Sequence, residues 1–216
     1  MSNKLLFDNG HGINTPGKHS PDKRLMEWEY ARRVVKCVVC RLKLFGFDAE
    51  ILVPEDEDIS LSERVRRVND WCNKLGKDNV LLTSVHVNAA GADGKWHEAG
   101  GWSCFTTRGN TKSDLLAEYY YDSAKKNLSN YSSQFDYFKS IGVYGYKQRP
   151  IRTDKSDGDS DFEANFTILY GTKCPAVLTE NLFQDNTNDV NYLLSDEGFE
   201  SIVKLHVDGI VNYLKQ

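Results

Sequence analysis

Apolar residues along the chain fall into two alternating patterns. Four short runs, at 5–7, 49–53, 80–85 and 175–179, predict strands, and their continuous apolar character fits burial on both faces of a sheet. Between them the spacing becomes helical. From about 27 to 45, Ala31, Val34, Val35, Val38, Leu42 and Phe45 recur at helical intervals, and Gly46 stops the run. From 61 to 75, Leu61, Val65, Val68, Cys72 and Leu75 share a face, with Ser60 and Glu63 at capping-box spacing and Gly76 after the end. Leu116, Tyr119, Tyr120 and Ala124 predict a third helix over about 112–128. Phe199, Ile202, Val203 and Ile210 predict a last one over about 196–214, opened by Asp196 and Glu197 at the positive end of the helix dipole.

The order is strand, helix, strand, helix, strand, a middle section, then strand and helix. That alternation predicts an α/β fold: a single open, mostly parallel mixed sheet with helices on both faces. No internal repeat or low-complexity linker divides the chain, so one domain is expected over 1–216. In such sheets the site lies outside the carboxyl (C-terminal) ends of the strands.

Three predicted strands run out into ionisable groups. The first leads into Asp8-Asn9-Gly10-His11-Gly12, the third into His86-Val87-Asn88 and the fourth into Glu180-Asn181. His86 and Asn88 are two apart in an extended segment and face the same side. Glycines flanking His11 permit a tight turn and a close approach to the backbone. Glu27, at the start of the first helix after a loop with Pro16, Gly17 and Pro21, is a further candidate. Two neutral imidazoles and a carboxylate make a zinc site with an open position for water, and a second carboxylate nearby can move that water's proton. On the residues alone, a metal site and a set of polar turn residues are equally compatible readings.

Composition narrows the classes. The 216 residues are 40% hydrophobic, 27% charged and 12% aromatic, which excludes disorder, collagen-like repeats and coiled coil. No apolar run approaches about 18 residues, so no membrane span is expected. A formal net charge of −4 argues against general nucleic-acid binding, which needs phosphate-neutralising cations. The first eight residues hold too short an apolar stretch for a secretory signal, so synthesis in the cytoplasm is expected. The five cysteines, Cys37, Cys40, Cys72, Cys104 and Cys174, are odd in number and irregular in spacing, and read as reduced, mostly buried thiols. Cys37 and Cys40 form a CxxC, but no second pair completes a zinc site.

Taken together, these motifs resemble the Amidase_3 family of zinc-dependent N-acetylmuramoyl-L-alanine amidases, which includes phage endolysins. The D-x-G-H-G strand end is matched by Asp8, Gly10, His11 and Gly12. The helix-opening Glu is matched by Glu27, whose spacing to Gly46 favours it over Glu29. The second helix carries Arg64, Arg66, Arg67 and Asn69 where the family has Arg and Asn. S-x-H-x-N is matched by Ser84, His86 and Asn88, and P-A-V-L-x-E-x-x-F-x-x-N by 175–180 with Phe183 and Asn186. The matches keep the family's order over nearly the whole chain.

The resemblance implies that His11, Glu27 and His86 hold Zn²⁺, that Glu180 is the catalytic acid/base, and that Asn88 sits beside the metal and orients substrate. It implies hydrolysis of the amide between the lactyl group of N-acetylmuramic acid and L-alanine of the stem peptide. The implied partner is peptidoglycan, reached at the wall after delivery by another route. A monomer is expected, with the oligomeric state open, and the compact length leaves no room for an appended wall-binding domain. Asn9 stands where Pro is common, and Asn181 and Leu182 stand where many members have Gly or Thr. Two other readings stay open: another zinc amide hydrolase or peptidase cutting inside the stem peptide, and a non-catalytic wall-binding module, against which retention of all four key residues argues.

The remaining features read as structural. His19, His97 and His206 lack partner spacing for a ligand role. The acidic run 154–161 fails the EF-hand order, because Gly158 in the sixth place would put Thr153 first, and reads as a solvated loop. Arg149 and Arg152 are candidates for a stem-peptide carboxylate, with surface charge as the default. Trp96, Trp102, Tyr144 and Tyr146 are candidates for stacking on sugar or for ordinary packing.

Overall fold

The structure is a computed structural model that describes residues 3–145 and 147–216. Among these residues six strands form one sheet: β1 (Lys4–Asn9), β2 (Asp48–Ile51), β3 (Val80–Asn88), β4 (Ser103–Thr106), β5 (Phe162–Glu163) and β6 (Ala176–Phe183). Their spatial order is β2-β1-β3-β6-β4-β5. The first four of these run parallel to one another, and β4 is antiparallel to β6. The four predicted strands are therefore the parallel ones, and the expected mixed, mostly parallel open sheet is what forms.

Helices α1 (Glu27–Leu44), α2 (Leu61–Leu75), α3 (Lys112–Asn127) and α7 (Asp196–Leu214) stand where the periodicity places them. Three others, α4 (Ser129–Ser140), α5 (Thr167–Tyr170) and α6 (Thr187–Leu194), were not predicted. Alternation along the central strands supplies both faces. Leu5 and Phe7 join Val34, Val38, Tyr120 and Ile202 in the larger core, under α1, α3 and α7. Leu6, Val80 and Leu82 join Val68, Cys72 and Ile168 in the smaller one, under α2 and α5. No helix among the described residues is long and apolar enough to cross a membrane.

Several expectations change. Ser60 accepts a hydrogen bond from the Glu63 amide, but the Glu63 carboxylate turns outward to Arg66 and Arg67, so no capping box closes there. The capping box belongs instead to α3, between Thr111 and Asp114. All five cysteines are free; Cys72, Cys104 and Cys174 are buried, Cys37 is half-buried and Cys40 exposed. The 154–161 run is not a wholly solvated loop, since Ser160 and Asp161 are 2% and 1% exposed.

Candidate metal centre and active site

Strands β1, β3 and β6 all end on one edge of the sheet, and the predicted site residues meet there. His11 follows β1 in a left-handed conformation with φ of 62°. A Cβ on Gly10 would collide with the His86 ring, and one on Gly12 with the backbone at Asp58, so both positions need glycine. Arg64 of α2 organises the turn from beneath. It is 1% exposed and binds Asp8 Oδ1 at 2.5 Å, the Asn9 carbonyl at 3.1 Å and the His11 carbonyl at 3.2 Å. Ser84 donates to the other Asp8 oxygen at 2.6 Å, and Arg32 of α1 reaches the His11 carbonyl at 3.1 Å.

Glu27 opens α1 with its own amide bonded to the Lys18 carbonyl. Its side chain is 1% exposed; Oε1 lies 3.1 Å from His86 Nδ1 and 3.5 Å from His11 Nε2, and accepts from the Val87 amide. The two imidazoles meet edge to face at 5.0 Å between centroids. One ligand atom from each of His11, Glu27 and His86 lies within 4.8 Å of the others. Glu27 Oε2 is inaccessible yet meets no hydrogen-bond donor. A buried carboxylate oxygen without a donor, beside two imidazoles, fits a cation. Burial holds the His11 imidazole down at about 4, against the pull of Glu27, so it is neutral and free to bind a metal near neutral pH. Burial acts against Glu27 ionisation, but the bond and charge of His86 outweigh it, and its carboxyl stays below the usual range.

Glu180 lies within β6, directly across from His86 in the β3 register. It is half-buried, and its Oε2 meets no donor. Burial pushes its carboxyl up to about 7; His86 opposes this, Glu27 adds to it, and Lys18 and Arg152 draw it down. Just beyond, β6 advances from Glu180 to Phe183 while β3 advances only from His86 to Asn88. That extra residue is a bulge, marked by the left-handed Leu182 at φ of 63°. The bulge sets Asn181 inward: its Nδ2 donates to the His86 carbonyl at 2.8 Å, and its Oδ1 accepts from Trp102 Nε1 at 3.1 Å.

Asn88, two residues beyond His86 on β3, is half-buried, with Oδ1 turned to the Ala89 amide, and lines a cleft with Ser103, Arg152 and Phe183. Arg152 lies over Phe183 and Phe162. Trp102 is fully buried against Tyr121, and Tyr144 is buried and stacked on Phe135 at 3.8 Å, so neither is free to stack on sugar. Trp96 is partly exposed near Arg24; Tyr146 lies outside the described residues. His19 and His97 bond a backbone carbonyl and Asp93, and His206 is buried in α7.

The model of the N-acetylmuramoyl-L-alanine amidase family Amidase_3 matches residues 5–212. The amidase CwlM of Bacillus licheniformis is 28% identical over 209 residues, covering 96% of this chain and 67% of that protein. The endolysin of Bacillus phage SPP1 is 26% identical over 216 residues, covering 99% and 67%. The chain thus spans about two thirds of the length of these relatives. Its fold is that of the N-acetylmuramoyl-L-alanine amidase from Clostridium difficile 630, with a TM-score of 0.73, 20% identity, and coverage of 100% of this chain and 98% of that one.

Proposed function

The chain belongs to the Amidase_3 family of N-acetylmuramoyl-L-alanine amidases and is a peptidoglycan hydrolase of that type, and on that premise we propose a zinc-dependent mechanism run by four of its side chains. The bond cleaved is the amide between the lactyl group of N-acetylmuramic acid and L-alanine of the stem peptide. His11, Glu27 and His86 would hold Zn²⁺. When bound, the ion supplies Lewis acidity, polarising the scissile carbonyl and acidifying the attacking water.

Glu180 is the acid/base. A carboxyl poised at about 7 is partly ionised at neutral pH and able both to accept and to return a proton. It takes a proton from the water as the new C–O bond forms. It then gives that proton to the nitrogen of L-alanine as the C–N bond breaks, leaving a lactyl carboxyl group and an amine, and the carboxyl proton passes on to give carboxylate and ammonium. Glu27 Oε1 also accepts from the Val87 amide, so this carboxylate is held before substrate arrives. Asn88 and Arg152, in the cleft beside Phe183, are positioned to bind the stem peptide. One domain carries these parts, acting on the cell wall.

The observation that supports this reading best is the convergence of three ligand atoms within 4.8 Å, with Glu180 on the strand position facing His86. Mass spectrometry of products from purified sacculi tests it, with zinc measured in parallel. Intact stem peptides with a free L-alanine amino terminus are expected. Products cut inside the stem peptide, or full activity in protein free of zinc, would overturn it.

A further inference from the structure

Residues 155–158 are exposed, but the following residues 159–162 turn back onto the sheet edge. Asp161, 1% exposed, meets Asp159 of the same segment and Asp114 in the first turn of α3. One carboxylate oxygen from each lies within 4.8 Å of the other two. Like charges this close, away from water, repel strongly.

The hydrogen bonds around the cluster do not resolve that repulsion. Thr106 Oγ1 lies 2.6 Å from Asp161 Oδ2, 3.0 Å from Asp114 Oδ1 and 3.2 Å from the Thr107 carbonyl, but has one proton to give. The second Asp114 oxygen accepts from the Thr111 amide. Asp161 Oδ1 and Asp159 Oδ1 are both inaccessible, and neither meets a donor. Burial, against the Thr106 bond, and then the charges of Asp159 and Asp114 push the Asp161 carboxyl up to about 7. The side chain held in the middle of the cluster is thus nine-tenths buried, directed at its neighbours and short of a positive partner.

We propose that Asp114, Asp159 and Asp161 bind a calcium ion that ties the 154–163 segment to the N-terminus of α3. The donor set is all oxygen, which suits a hard cation and not the imidazole-bearing zinc centre. Three carboxylates leave several positions of a six- to eight-coordinate ion to water. The ion does not need the EF-hand spacing, because Asp114 comes from a helix some forty residues earlier in the chain. Its effect is structural. Thr106 ends β4, whose Phe105 pairs with Phe162 of β5, and whose Ser103 pairs with Glu180 of β6. The bound ion fixes the sheet edge against which the Glu180 strand is laid.

The test is thermal unfolding of the whole chain in calcium-free buffer with stoichiometric zinc, titrated with CaCl₂, alongside terbium luminescence sensitised through Tyr121 and Trp102. With calcium at about 100 times its dissociation constant, Tm rises by about 5–10 °C. Asp159→Asn and Asp161→Asn abolish both the rise and the terbium signal, and in calcium-free buffer Asp159→Asn melts no lower than the wild type because a repulsive charge is gone. No rise with calcium up to about 10 mM, well above the range of weak extracellular sites, overturns the proposal. So does an undiminished rise in Asp159→Asn, which decides the matter should Asp161→Asn fail to fold.

Discussion

Glu180 and His86 face each other as register partners on the parallel strands β6 and β3, so the proposed acid/base and the proposed metal ligand are set by one stretch of sheet. A pairing error of one residue would turn either side chain to the opposite face. This gives the first prediction. Glu180→Gln keeps the shape of the strand and leaves His11, Glu27 and His86 untouched. It is expected to retain bound zinc by elemental analysis while kcat falls by about 10²–10⁴-fold. Near-normal turnover would remove Glu180 from the acid/base role.

Removing an imidazole acts on the metal instead. His11→Ala and His86→Ala are each expected to lose zinc as well as activity, since three protein ligands become two. Glu27→Ala is expected to lose zinc too, since it removes the one carboxylate of the proposed ligand set. Zinc content after gel filtration separates these from Glu180→Gln. A His11→Ala protein that keeps stoichiometric zinc would show that the ligand set is wrong.

The candidate site was legible because it sits at the ends of long, buried strands. Continuous apolar runs locate β1, β3 and β6, and His11, His86 and Glu180 follow from where those runs stop. Glu27 needed the motif order as well, since a helix-opening carboxylate is equally explained by the helix dipole. What stayed hidden is short or depends on distant partners. β4 and β5 have four and two residues; β4 is a strand because β6 offers it an edge, and β5 because β4 does in turn. α4 buries just Tyr131 and Phe135, too thin a stripe to stand out from its polar neighbours. The Asn181–Leu182 bulge leaves no periodic trace. Its one signal is that Asn181 and Leu182 replace the family's usual Gly or Thr, and Leu182 occupies a conformation that glycine adopts without strain.

That bulge carries a prediction of its own. Asn181 joins the buried Trp102 indole to the His86 carbonyl. Asn181→Ala leaves an indole N–H and a carbonyl without partners, at a cost of about 1–3 kcal/mol. Because the His86 backbone loses its tether, zinc affinity is also expected to fall, by about 10–100-fold. Denaturant unfolding and competition with a zinc chelator read the two effects separately. Unchanged zinc affinity would confine Asn181 to a packing role.

Arg64 tests the support beneath His11. It is buried with Asp8 and donates to both the Asn9 and His11 carbonyls. Arg64→Met strands a buried Asp8 carboxylate and frees the His11 turn, and is expected to cost about 3–5 kcal/mol. Adding Asp8→Asn removes the stranded charge, so the double variant is expected to be less destabilised than the sum of the two singles. Additive losses in urea unfolding would mean that the pair is not coupled.

His206 ties stability to pH away from the metal. It is fully buried; Nδ1–H donates to the Ile202 carbonyl at 2.7 Å, so Nε2 is left to accept from the Thr179 hydroxyl at 2.9 Å. Protonation would turn that acceptor into a donor. Burial therefore lowers its pKa from 6.5 to about 4, with the Ile202 bond only partly opposing. Since the folded pKa lies below the unfolded one, the unfolded chain binds the extra proton first as pH falls. Stability is complete above about 6.5, erodes as pH drops through the window from 6.5 to about 4, and is lowest below it. The difference corresponds to about 3 kcal/mol. His206→Gln keeps a neutral hydrogen-bonding side chain and removes the titration. Its stability is expected to decline less between pH 7 and pH 4 than that of the wild type, which is read from urea midpoints across that range. Parallel pH profiles for the two proteins would show that His206 is not what acid attacks.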